Sequence, residues 1–139
     1  MKIRNIAYWA TTGLVAAAFA FGGIVDVGRG PQVVEGMKHL GYPLYVALIL
    51  GIWKVLGAVA IVAPGLPRLK EWAYAGMFFD LTGAAASHAF SGDGAANIST
   101  PLAMLAFVVA SCALRPPGRR LTASQAAPAE LRETQARTG

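Results

Sequence analysis

Four apolar runs, separated by short polar or turn-forming stretches, organise the chain. They cover about residues 6–25, 43–62, 72–90 and 98–114. A helix rises 1.5 Å per residue, so about 20 apolar residues cross a hydrocarbon core ~30 Å thick. The first three runs reach that length and the fourth lies near the lower limit. Asp26-Val27-Gly28-Arg29-Gly30-Pro31 punctuates the end of the first run, Pro64-Gly65-Leu66-Pro67 the end of the second, and Ser91-Gly92-Asp93-Gly94 the end of the third. Pro43 suits the first turn of the second helix. Between Gln32 and Leu40, Val33, Val34, Met37 and Leu40 recur at helical spacing. This predicts a short helix lying at the membrane interface.

The pattern predicts an all-α integral membrane protein. Its four-helix bundle occupies residues 1–115, and residues 116–139 form a polar tail that is disordered or helical only in part. One rival exists at the amino end. Lys2, Arg4, an apolar stretch and Ala18-Phe19-Ala20 resemble a secretory signal. The run continues through Val25 to full spanning length, so a retained helix is expected.

Composition strengthens this picture. Of 139 residues, 55% are hydrophobic and only 14% charged, against about 25% charged in soluble domains. So few charges do not cover a soluble surface. The net charge is +5, but the basic residues flank the apolar runs and form no base-reading face. A nucleic-acid partner is therefore not expected.

Charge placement gives an orientation. With the amino terminus in the cytoplasm, nine of the twelve basic residues fall inside: Lys2, Arg4, Arg68, Lys70, Arg115, Arg119, Arg120, Arg132 and Arg137. Arg29 and Lys38 fall outside, and Lys54 lies within the second run. The positive-inside rule then puts both termini in the cytoplasm.

Two charges stand where charges are costly. Lys54 is eleven residues past Pro43, and Asp80 is ten residues before Phe90. Each lies about 15–17 Å from the outer end of its helix, near the midplane. Ala47, Gly51, Lys54 and Ala58 share one face; Gly76, Asp80, Gly83 and Ser87 share another with the same spacing. Small residues permit close helix approach, so these faces are expected to meet and pair Lys54 with Asp80. Such a pair serves either as a ligand, proton or ion site or as a register-fixing device. Trp53, mid-helix beside Lys54, either lines a pocket or packs as an ordinary apolar side chain. Most other aromatic residues fall near helix ends as interfacial anchors.

Asp26, Glu35, His39, His88 and Asp93 form a second, outer group at helix ends and loops, near Ser87. Two histidines with carboxylates are a metal-ligand chemistry. They lack a motif such as HExxH, so solvated interfacial roles are expected and no metal site is assigned. The lone Cys112 excludes an internal disulfide or dithiol motif and reads as a small core residue.

The stretches His39-Leu40-Gly41-Tyr42-Pro43, Gly51-Ile52-Trp53-Lys54-Val55-Leu56-Gly57-Ala58, Leu69-Lys70-Glu71-Trp72-Ala73-Tyr74-Ala75-Gly76, Phe79-Asp80-Leu81-Thr82-Gly83-Ala84 and Ser87-His88 occur in this order. Together they resemble the DoxX-like family of small bacterial membrane proteins, over roughly residues 5–116. The resemblance implies a four-helix protein of the bacterial inner membrane. It also implies a link with quinone or sulfur redox systems, and it carries over no catalytic residue set. Three functions are in play. One is a membrane component that binds a small hydrophobic ligand such as a quinone, or supports a redox partner. Another is a small transporter or proton-coupled carrier using Lys54 and Asp80. The third is a structural subunit. No enzyme acting on its own is expected. The bilayer is the expected partner, with a redox partner or a second copy of the chain beside it.

Overall fold

A computed structural model describes residues 2–126 and 128–138. All regular structure among them is helical. Helix α1 spans Lys2–Gly28, α2 Pro31–His39, α3 Leu44–Val62, α4 Pro67–Phe90 and α5 Ala95–Leu114. A 3-10 turn at Pro117–Arg119 follows, then two short helices, α6 at Ala123–Ala126 and α7 at Ala129–Thr138.

Helix α1 runs through the polar residues that the hydropathy pattern treats as its end. Hydropathy marks where lipid stops, whereas a helix stops where the backbone turns. That happens at Arg29, whose φ of 49° is left-handed, a conformation costing an L-residue roughly 1–2 kcal/mol. Pro31 then opens α2, its missing N–H being unneeded in a first turn. The α3–α4 turn passes through two successive left-handed residues, Gly65 (φ 66°) and Leu66 (φ 54°).

Helices α1, α3 and α5 are long and apolar enough to cross a membrane. Helix α4 is not, although it has 24 residues. Arg68, Lys70, Glu71, Asp80 and His88 lower its hydropathy, so the count of four apolar spans becomes three with a fourth helix of mixed character. The outward surface carries Phe21, Ile24, Ile52, Leu56, Val59 and Val109, all exposed. Water would penalise such a surface and lipid would not.

The helices meet around a core of Val15, Phe19, Ala58, Ile61, Tyr74, Met77, Leu81 and Val108. Helix α1 packs on α3 and α5, while α4 packs on α5 and less closely on α3. A buried hydrogen-bond chain crosses this core. Thr12 and Ser111 hydroxyls lie 2.6 Å apart, and the Tyr74 hydroxyl lies 2.7 Å from Ser111. It links α1, α5 and α4 with no charge.

At the other end of α3, orphan carbonyls collect cations. Lys70 is fully buried and donates to the carbonyls of Ala60, at 2.7 Å, and Ala63. Arg119 donates to Ile61 and Val62, each at 3.2 Å, and its guanidinium lies 4.5 Å from the Trp9 ring centre. Arg115, 5% exposed, pairs with Glu71 at 2.8 Å. Three of the nine residues counted as orienting charges thus also fasten the ends of helices. The last carbonyls of a helix lack internal partners, and cations satisfy them well.

Candidate functional site: a mid-helix charge group and the groove beside it

The site begins with two glycines. Gly23 on α1 and Gly51 on α3 touch backbone to backbone. A Cβ at Gly23 would fall 2.6 Å from the Gly51 carbonyl oxygen, and one at Gly51 would fall 2.7 Å from that of Gly23. Only glycine permits this approach. One turn further along each helix stand Asp26 and Lys54. Their side chains meet at 2.8 Å, with the Lys54 Nζ donating to Asp26.

Asp80 stands on the other side of Lys54, at 3.9 Å. This is an ionic contact but too long for a hydrogen bond. The expected Lys54–Asp80 ion pair is thus present, but the small-residue face of α3 has a different partner from the one its spacing suggested. The Gly51 face of α3 lies on α1, and Lys54 is hydrogen-bonded to Asp26. Asp26 leaves the outer polar group to which its position near the end of the first run assigned it. The three side chains are 17–24% exposed.

A groove of about 680 Å³ opens between α3 and α4. Lys54 and Asp80 are its polar lining, whereas Asp26 stands behind Lys54, outside it. Trp53, Trp72 and Phe79 wall the groove and are 68%, 75% and 70% exposed. Met77 and Phe19 line it from the core side. Trp53 thus lines a cavity, and Trp72, expected as an interfacial anchor, joins it. Pockets of this volume and apolar character hold small ligands, with a few polar groups fixing orientation.

The outer group contracts to three residues. Asp93 accepts a hydrogen bond from each side: His88 Nδ1 lies 2.5 Å from one oxygen and His39 Nε2 lies 2.7 Å from the other. These contacts, that to His88 above all, hold the Asp93 carboxyl below the usual carboxylate range. Glu35 is exposed on α2, one turn before His39, and takes no part in these contacts. Ser87 bonds Tyr42 at 2.8 Å, tying the α2–α3 link to α4.

Asp26 is the site residue that the hydropathy pattern misses. Its signal is present: Phe19, Gly23 and Asp26 repeat the spacing of Ala47, Gly51 and Lys54.

The family model described as the DoxX-like family matches residues 10–111. The chain belongs to this family. Over 68 residues it is 38% identical to the uncharacterized protein YdgD of Bacillus subtilis (strain 168). That match covers 49% of this DoxX-like chain and 59% of YdgD, so the chain spans less than two thirds of that relative. No solved structure matches it.

Proposed function

We propose that this DoxX-like protein is a multi-pass protein of the bacterial inner membrane that binds a small hydrophobic ligand in the α3–α4 groove. Helices α1, α3, α4 and α5 are its four spans, and residues 1–115 form the membrane domain. Helix α2 lies on the outer interface, both termini face the cytoplasm, and the segment after Pro116 is a cytoplasmic tail. Burial of Tyr8, Val15 and Phe19 of α1 against the other helices supports a retained first span.

The observation that carries the reading is an apolar, aromatic-walled groove ending on Lys54 and Asp80. An apolar ring or chain would lie against Trp53, Trp72 and Phe79. A polar end would meet the Lys54 ammonium, a donor suited to a carbonyl oxygen. A quinone has this form, and binding one would connect the protein to a membrane redox system. A carrier is the second reading. It is favoured by one observation: Asp26 and Asp80 share a single lysine.

A short-chain quinone titrated into the protein in nanodiscs tests the groove. Saturable quenching of tryptophan fluorescence is expected, and it should fall sharply when Trp53 and Trp72 are both replaced by Phe. Quenching that rises linearly, as for simple partition into lipid, would refute the reading. Mass spectrometry of co-purifying small molecules identifies the natural ligand.

A further inference from the structure

The charges at the head of the groove do not balance. Asp26 and Asp80 bring two carboxylates, and Lys54 brings one ammonium. Lys54 gives its hydrogen bond to Asp26, on the side away from the groove. Among the described residues no hydrogen bond reaches Asp80. The charged group in contact with it is Lys54 from α3, Asp26 from α1 lies beyond Lys54, and α5 supplies none. In a low-dielectric interior an unbalanced carboxylate takes up a proton or acquires a cation.

The groove offers a place for that cation. Asp80 lines it together with the exposed aromatic side chains of Trp53, Trp72 and Phe79. Aromatic faces attract cations, more so when water is excluded. The apolar lining rejects a small hydrated ion, whose shell the groove cannot replace. It suits a cation whose charge is spread over, or shielded by, an apolar body.

We propose that the groove takes small lipophilic organic cations, and that a bound cation displaces a proton from Asp80. This deepens the ligand-site reading and rests on it. In the exchange the protonated Asp80 releases one proton to solvent, and the carboxylate left behind faces the cation. The group Asp26, Lys54, Asp80 and ligand is then neutral. A neutral ligand leaves Asp80 protonated and releases nothing.

The test uses the full chain in nanodiscs, tetraphenylphosphonium as the cation and a short-chain quinone as the neutral comparison. Competition between one proton and one cation makes the apparent affinity rise with pH, by up to about tenfold per unit while Asp80 is protonated. About one proton should appear in weakly buffered solution per cation bound. Asp80→Asn should abolish the pH slope and weaken cation binding by about tenfold or more, while quinone quenching persists. Trp53→Ala, at an exposed position that leaves the core intact, should weaken the cation by about two- to thirtyfold. It keeps the test decisive if Asp80→Asn fails to fold.

Cation binding that is independent of pH, or that releases no proton, would overturn the proposal. So would equal affinity in wild type and Asp80→Asn, or a groove that holds only lipid acyl chains. Quinone binding without cation binding defeats this inference alone. Failure of both probes defeats the groove as a ligand site.

Discussion

Gly23 and Gly51 meet so closely that neither can carry a methyl group without displacing the other helix. A Cβ at Gly51 would lie 2.7 Å from the Gly23 carbonyl oxygen and 2.9 Å from a Val27 methyl. Gly51→Ala should therefore force α1 and α3 apart. Overpacking of this kind costs about 1–3 kcal/mol, seen as a lower melting temperature in detergent. Gly83→Ala is the control, since its Cβ would meet nothing within 4 Å. Equal melting of the two variants would disprove the close crossing.

The same crossing orders the charge couplings. Double-mutant cycles should give a coupling of about 1 kcal/mol or more for Asp26 with Lys54, and a smaller one for Lys54 with Asp80. The order follows from 2.8 Å against 3.9 Å. A larger Lys54–Asp80 coupling would reverse the assignment of the hydrogen-bonded pair.

Lys70 holds the end of α3 from the start of α4. Lys70→Met keeps the apolar stem but leaves the Ala60 carbonyl without its side-chain donor and the Ala63 carbonyl with only the long 3.5 Å contact from Arg119. Unsatisfied buried acceptors cost about 1–3 kcal/mol. Thermal unfolding should report that loss, whereas Lys38→Met on the exposed face of α2 should change little.

The Asp93 clamp gives stability with a definite pH sense. Hydrogen bonds from His88 and His39 hold its carboxyl below the ordinary value of 3.8. A carboxylate depressed in the folded state stabilises fully above its unfolded value and loses that contribution as pH falls through its folded value. Wild type should therefore melt above Asp93→Asn above about pH 4, and the margin should shrink as pH falls below that. A margin unchanged at pH 2 would show that the clamp does not depend on the ionised carboxylate.

Topology has its own measurement. Reporters fused after Gly65 and after Pro116 should read cytoplasm, and one after Gly92 should read the outer side. A cytoplasmic signal at Gly92 would remove α4 as a span.

Much of the fold is legible in the sequence because lipid simplifies the rule: long apolar runs become helices. The paired depth of Lys54 and Asp80 is legible too, because residue number converts directly to rise along a helix. What escapes is which helix faces which. The spacing of Ala47, Gly51 and Lys54 shows a close-packing face but not its partner, and both α1 and α4 offer one. The long separation between Gly23 and Gly51 carries no periodic signal. Asp26 is obscured for a related reason. It lies at the hydropathy edge, where a loop and a last helical turn look alike. Lys70 and Arg115 look like solvated orienting charges, and only the third dimension shows them buried against helix ends.

The fastening of α3 by Lys70 has a mechanical consequence. The close pairs are α1 with α3 and α4 with α5, while the groove follows the looser seam between α3 and α4. Lys70 pins that seam at one extremity, next to the Pro64–Pro67 turn. The Tyr42–Ser87 hydrogen bond pins the opposite extremity, and two leaves pinned at both edges part most readily between the pins. The seam should therefore yield least beside Lys70 and Ser87 and more midway, around Trp53, Lys54 and Asp80, where an entering molecule meets least resistance.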